Sequence, residues 1–528
     1  MNFDWKLPYV SHRQPILARN AVATSQPLAV QAGIAMLQRG GNAVDAALAT
    51  AIALTVVEPC SNGIGSDLFA ILWDGRELVG LNASGRAPAA VTPARYKGKA
   101  EIPPRSWEAV TIPGAVSAWA ALSQRFGALP FADLFAPAIR YARDGYAVSP
   151  IVAEKWELAA TVLPHDLGFA EHFLPRGRAP KAGEVFSCPA MARTLESIAA
   201  TRGNSFYRGE LAAAMVAHAK AHGALHTAED FAAHTLDWVE PLGLEYGGAT
   251  VHEIPPNGQG IAALMALGIL RAFDLRSLPP DSVASQHLQI EAMKLAFADA
   301  HRFVSDPRTM ELPPAAMLDP GYLASRARMI DPKRAQDFGP GNPPKGGTVY
   351  LCAADEQGML VSLIQSNYMG FGSGVVVPGT GISLQNRGVG FSLVSGHPNE
   401  IAGGKRPFHT IIPGFLTRNG MPLAAFGVMG GPIQPPGHVQ TMVRLLTHGM
   451  NPQAALDAPR WKLNGGISVD LEASASPELR SGLIALGHEI KAVADSYMDF
   501  GAGQIILGTE GGYAAASDPR RDGQAAGF

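Results

Sequence analysis

Between Ser25 and Val57 the apolar positions run almost unbroken except at Gly40-Gly41, and the punctuation is that of two helices. Ser25 as a cap with Pro27 in the first turn predicts a helix that leaves through the glycine pair, and Asn42 opens a second one towards Val57. Its core, Ala46 to Val57, falls short of the roughly 20 apolar residues that a membrane helix needs and is interrupted by Thr50 and Thr55, so it predicts a buried helix. The period then shortens. Leu68 to Trp73 and Glu77 to Leu81 flank Asp74-Gly75 as a hairpin. Residues 105 to 305 read as mainly helical, with helical spacing clearest over Ala132 to Asp144 and Gln286 to Phe303. From Thr348 onward short strands alternate with glycine turns.

These textures predict mixed α and β layers with helices packed outside sheets. At 528 residues the chain exceeds the usual limit of one core, about 250 to 300 residues, so two lobes or two intertwined subunits are expected. A composition 47% hydrophobic and 16% charged supports a large buried interior. The net charge of −3 provides no basic field for a phosphate backbone, which argues against nucleic acid as a partner. MNFDWKLPYVSHRQP lacks a cationic segment followed by an apolar run, so no secretory signal is expected. Cys60, Cys188 and Cys352 are odd in number and far apart, which fits a reducing compartment, the cytoplasm, better than a disulfide framework. The segment from Asp331 to Gly346, rich in Pro, Gly and charge, reads as an exposed connector where the chain can be cut without loss of core.

Just past that connector stands Gly346-Gly347-Thr348, followed by two apolar strands around Asp355 to Gly358. A regular hairpin centred on Gln357 sets Thr348 opposite Ser366, with facing Cβ atoms about 4.5 to 5.5 Å apart. A threonine hydroxyl is a weak nucleophile that needs a base. Cleavage before Thr348 would free an α-amino group with a reference pKa near 8, which puts nucleophile and base on one residue. The preceding glycines permit the strained backbone that self-attack requires. Gly-Gly-Thr alone is far more often the plain start of a strand.

Longer blocks add to this. Gly40-Gly41-Asn42-Ala43-Val44-Asp45-Ala46-Ala47, Asn62-Gly63-Ile64-Gly65-Ser66-Asp67-Leu68-Phe69, Pro113-Gly114-Ala115-Val116, Glu291-Ala292-Met293-Lys294 to Asp306-Pro307 and Ser517-Asp518-Pro519-Arg520 occur in order along the chain. In these the sequence resembles the γ-glutamyltranspeptidase family of N-terminal nucleophile hydrolases, although Ser66 stands where that family usually has glycine. The resemblance implies an α+β fold, a four-layer αββα sandwich formed jointly by two autoproteolytic fragments. They would be a large subunit, 1–347, and a small catalytic subunit, 348–528, cut between Gly347 and Thr348 and associated with each other. It further implies Thr348 as nucleophile, Ser366 as a supporting hydroxyl, Gly430-Gly431 as the backbone of an oxyanion hole, and no cofactor or metal.

The family's clamp for a glutamyl group is missing. Ser84 stands in place of an arginine a few residues before Ala87-Pro88, His409-Thr410 in place of two adjacent serines, and Val389-Gly390 in place of an acidic pair. The stretch from Phe391 to Lys405 is too short for a lid loop. These departures resemble the branch with cephalosporin (glutaryl) acylases and an oxamate amidohydrolase, which implies a small-molecule acyl amide substrate whose acyl group lacks the glutamyl amine. Arg387, Arg86, His409 and Thr410 are then the candidate substrate-binding residues, either arginine being able to pair with an acyl carboxylate. A true γ-glutamyltransferase and a non-catalytic binding relative are the alternatives. Gly258-Gln259-Gly260 imitates a dinucleotide fingerprint, but Pro255-Pro256 interrupts the turn and Asp274 comes too early. His287 and Glu291, one helical turn apart with no third ligand at metal spacing, read as a solvated helix face. No Gly-x-Ser-x-Gly elbow is present.

Overall fold

The computed structural model describes residues 12–339, 347–494 and 500–528. Most of the N-terminal stretch read for a signal, and residues 340–346 of the connector, lie outside the described residues. In chain order the elements that build the framework are β1 (Ile16–Ala18), β2 (Ala21–Thr24), α1 (Pro27–Gln38), α2 (Ala43–Val57), β3 (Asp67–Trp73) and β4 (Leu78–Asn82). They continue with β5 (Asp237–Val239), β6 (Leu242–Tyr246), β7 (Ala249–Glu253), α3 (Gly260–Leu270) and α4 (Val283–Phe303). Then follow β8 (Gly347–Ala354), β9 (Leu360–Tyr368), β10 (Gly414–Arg418), β11 (Met421–Met429), α5 (Gln434–Met442), β12 (Ala502–Thr509), β13 (Gly512–Ser517) and β14 (Gln524–Gly527).

The strands form two seven-stranded sheets, ordered β1-β13-β12-β11-β10-β7-β6 and β14-β2-β8-β9-β3-β4-β5. Strand side chains alternate between faces, and here both faces are covered. Tyr350, Cys352, Ile364, Phe69 and Ile71 point inward onto Ile254, Phe415, Ala425, Met429 and Ile506 of the facing layer. Their neighbours Val349, Leu351, Val361, Leu363 and Leu68 point outward under α1 and α2. Leu416, Phe426 and Ile505 meet α3, α4 and α5 on the opposite outside. The result is the four-layer αββα sandwich. The inner layers approach closely enough that a Cβ at Gly427 would lie 2.4 Å from the Tyr350 ring.

Local chemistry explains the helix ends, with one correction. Asn42 caps α2 in a reciprocal capping box with Asp45, and every residue of that helix is buried. For α1 the cap is Gln26, whose side chain accepts from Leu28 N and Ala29 N. Ser25 instead donates to the buried carboxylate of Glu58 at 2.5 Å, an attraction between a hydroxyl and a carboxylate that outweighs a local cap. The expected helical middle also contains β5, β6 and β7: β6 and β7 form a local hairpin around Gly247-Gly248, while β5 joins β4 and β7 joins β10, partners far along the chain. The connector is largely exposed over its described part, 331–339.

Strands from either side of Gly347 are interleaved in both sheets: β8 lies between β2 and β9, and β10 lies between β7 and β11. A chain cut ahead of Thr348 should therefore remain one particle, its pieces co-eluting on a sizing column and parting only in denaturant. Two separable soluble species would contradict this architecture.

Candidate active site

The hairpin register is the one expected from the turn: Val349 pairs with Gln365 and Ala354 with Leu360. At its open end the ladder slips by a bulge between Gly347 and Val349, so that Gly347 meets Tyr368. Thr348 sits in that irregularity, buried, with its Oγ1 3.0 Å from Ser366 Oγ. Ser366 Oγ also accepts from Tyr368 N at 2.8 Å. Ser366 is in turn paired with Asp67 across the next strand boundary. Alternation along β8, β9 and β3 thus brings Thr348, Ser366 and Asp67 to the inner face of one sheet, where its apolar packing ends.

The facing wall is made by the ends of the other sheet. Residues 257–259 run alongside His409: Asn257 O accepts from His409 N, and Gln259 N donates to His409 O, both at 2.9 Å. Gln259 then donates from one side-chain nitrogen to Thr410 O (2.6 Å) and Gly431 O (3.0 Å). Beyond β11, Gly430 takes φ +125° and Gly431 φ +69°, values that L side chains rarely adopt. A Cβ on Gly430 would lie 2.7 Å from Ile433 Cγ2 and 2.9 Å from Gly501 Cα, so this turn requires glycine.

Three buried ionisable groups meet in the site: Arg387, Asp67 and His409. Arg387 is 1% exposed, lies over the Tyr368 ring at 4.7 Å, and donates from Nη1 to Thr410 Oγ1 at 2.6 Å. Its Nε and Nη2 are buried without a hydrogen-bond partner. Burial pulls its pKa down to about 10, against the nearby negative charge of Asp67. Asp67 is fully buried; burial pushes its pKa up to about 7, opposed by Arg387 and by the backbone N–H groups of Gly114 and Gly85. His409 Nε2 lies 3.0 Å from Asp67 Oδ2, and burial together with Arg387 and Arg406 holds the imidazole well below its ordinary pKa.

Of the two arginines expected near the substrate, Arg387 is the one whose unpartnered nitrogens are buried. Arg86 is engaged with Asp306 at 3.2 Å and with Gly404 O. Asp306 also binds Arg308 through two oxygens and the Arg406 N–H. Ser84 is closed into a buried network with Asn82 and Asn257, and its carbonyl accepts from Arg406 Nε at 2.9 Å.

Sequence reasoning missed Asp67 and Gln259, although both lay inside motifs it quoted. The strand–turn–helix that imitates a nucleotide fingerprint instead ties the His409-Thr410 segment to the glycine turn. The reading of His287 and Glu291 as a solvated face is overturned. Both are fully buried, and His488 comes within reach of them to form a potential three-ligand group. The third residue is supplied from 201 positions away, invisible to helical spacing. Within this group His287 Nδ1 and His488 Nε2 are 2.8 Å apart, and Lys294 Nζ lies 2.7 Å from Glu291 Oε1, so the potential ligand atoms already have partners.

Comparison with known proteins agrees with this geometry. The family model for gamma-glutamyltranspeptidase matches residues 29–528. The chain is 35% identical to the glutathione hydrolase-like YwrD proenzyme of Bacillus subtilis, with 98% of this chain and 100% of that one aligned. It is 36% identical to the oxamate amidohydrolase proenzyme of Klebsiella pneumoniae, over the same shares of the two chains. Among solved structures, cephalosporin acylase from Bacillus halodurans superposes with a TM-score of 0.95 at 48% identity, covering 100% of this chain and 99% of that one. The chain therefore belongs to the γ-glutamyltranspeptidase family of N-terminal nucleophile hydrolases. Within it, this protein is an acylase-like amidohydrolase, an enzyme acting on amide bonds. Among the described residues no helix is long and apolar enough to cross a membrane.

Because Gln259 joins the His409-Thr410 segment to the glycine turn, Gln259→Ala should lower unfolding stability by about 1–3 kcal/mol through two unmet carbonyls. Amide turnover should fall with it. Urea unfolding with an unchanged midpoint would show that the two bonds contribute nothing.

Proposed function

We propose that the chain cuts itself between Gly347 and Thr348 and then hydrolyses amides of acidic acyl groups through an acyl-enzyme on Thr348. In the first step the Thr348 hydroxyl attacks the Gly347 carbonyl, and the ester so formed is hydrolysed, leaving a large subunit 1–347 and a small one 348–528. The new α-amino group then serves as general base for the same hydroxyl. Ser366 Oγ, 3.0 Å from Thr348 Oγ1, orients the nucleophile and shares its proton. The backbone N–H groups of Gly430 and Gly431 receive the negative charge of the tetrahedral intermediate, an interaction commonly worth about 3–4 kcal/mol of barrier. Water releases the acid in the last step.

The observation that carries the substrate reading is Arg387, a buried guanidinium with two unpaired nitrogens beside the nucleophile's strand pair. An unpaired buried charge is expensive, and an acyl carboxylate is a planar partner that matches the open fork. A glutamyl group would bring an ammonium as well, towards a cation rather than towards the acidic pair that other family members provide. Thr410 holds the guanidinium in place, and His409 acts on it through Asp67. Arg86 is paired with Asp306 through Nη1, so we assign the acyl carboxylate to Arg387 in preference to it. Oxamate amidohydrolase, one of the relatives, is named for an amide whose acyl part carries a carboxylate, which supports the same reading. Three buried, unbonded cysteines fit a reducing compartment, the cytoplasm.

On a denaturing gel the purified protein should run as two fragments, and Thr348→Ala as one. N-terminal sequencing of the smaller fragment should begin at Thr348; any other start rejects the assignment.

A panel of γ-glutamyl, glutaryl, oxamyl and neutral acyl amides tests the substrate. The acidic acyl amides should show the higher kcat/KM, and Arg387→Ala should reduce it about 30-fold or more for them while affecting the neutral analogue far less. Clear preference for γ-glutamyl amides would overturn the proposal.

A further inference from the structure

Arg387 presents a physical puzzle: a cation almost fully removed from water, yet with its donor fork left open. The nearby anion, Asp67, does not fill that fork: Nε and Nη2 have no hydrogen-bond partner, and the Asp67 oxygens are directed to other donors. Oδ1 accepts from Gly114 N at 3.1 Å, and Oδ2 faces His409 Nε2 at 3.0 Å. Ile411 N approaches His409 Nδ1 at 3.4 Å, which makes Nδ1 the acceptor and leaves the ring proton on Nε2, donated to Asp67. Asp67 is thus held at a distance by the backbone and by His409. It balances the guanidinium charge without occupying its hydrogen-bonding positions.

We propose that Asp67, backed by His409, is the resident counter-charge of Arg387, and that an acyl carboxylate replaces it in that office, entering the site together with one proton. This rests on the acidic-acyl reading above and adds a positioning role for two residues that do not touch the reacting atoms. In the empty site Arg387 and Asp67 neutralise one another. When a carboxylate engages Nε and Nη2 the site would hold two anions for one cation, and the Asp67–His409 pair relieves the excess by taking a proton from solvent. The pair titrates as a unit.

The charged and titratable groups facing Asp67 are His409, Arg387 and Arg406, with Tyr207 adding a weaker contact. Tyr368 acts on Arg387. The sign follows directly. A second anion raises the pKa of Asp67 above its value of about 7 in the empty site. A group whose pKa rises on binding strengthens binding below the free value and weakens it as pH climbs past that value. Affinity for an acidic acyl group is therefore full on the acid side and declines through neutrality.

The α-amino group of Thr348 titrates for every substrate, so the informative quantity is the ratio of kcat/KM for a glutaryl amide to that for a pentanoyl amide of the same amine. In processed wild-type enzyme this ratio should be flat below about pH 6.5 and fall by up to about tenfold per pH unit above about pH 7.5. In Asp67→Asn the fall should vanish, with the loss of dependence appearing in KM for the glutaryl substrate. Calorimetry of glutarate binding to wild type at about pH 7.5, in two buffers of different ionisation heat, should report uptake of up to about three-quarters of a proton, the fraction of Asp67 that is ionised in the empty site at that pH. This measurement decides the matter even if Asp67→Asn fails to fold or to process. A glutaryl preference that depends on Arg387 but has a ratio constant in pH, or binding without proton uptake, overturns the counter-charge role alone. Absence of any glutaryl preference overturns the acidic-acyl reading instead.

Discussion

The antiparallel pairing of β8 with β9 is the contact on which the site depends. It is long enough to fix register through six consecutive pairs, and both its faces are buried, so a slip by one residue would exchange the inter-sheet side chains with those under α2. Only at its open end does the pairing become irregular, and there Thr348, Ser366 and Tyr368 converge. The facing sheet contributes complementary loose ends: the turn after β7, the His409-Thr410 segment before β10, and the glycine turn after β11. The reactive region is therefore a place where two regular layers stop supplying apolar side chains to one another.

A buried charge relationship is superimposed on this framework. Around Asp306, several cations and backbone donors converge on one carboxylate and hold it well below the usual range against the effect of burial. Around Arg387 the arrangement is the reverse, with one cation, one carboxylate held away from it, and open donors. The first arrangement is closed and structural. The second is left incomplete by the protein itself, which distinguishes Arg387 from Arg86 although the two were equivalent candidates in the sequence.

Much of the framework could be read from residue order because it rests on local rules. The hairpin around Gln357, the capped helix from Asn42 and the hairpin around Asp74-Gly75 each follow from neighbouring residues. What escaped was what depends on distant partners. Ser25 looked like a cap until Glu58 was seen to claim its hydroxyl. The strands between Asp237 and Glu253 looked like part of a helical region; two of them form a local hairpin, but the pairings that seat them in the sheets lie elsewhere in the chain. His409 and Asp67 are 342 positions apart, and no spacing argument joins them. The burial of Arg387 is likewise set by the Tyr368 ring and Thr410, not by the residues beside it.

The interleaving of strands from either side of Gly347 has a consequence for the life of the molecule. An intact chain finds its fold in a first-order process, with β8 delivered to β2 by its own connection. Once that connection is severed, the same arrangement can be regained only by an encounter between two polymers, at a rate proportional to their concentration. Each piece alone would expose unpaired strand edges, which invite association with the wrong partner. The proposed cleavage would thus turn a folding problem into a dilution-sensitive assembly problem, and the cut enzyme would depend for its persistence on slow unfolding and not on ready refolding.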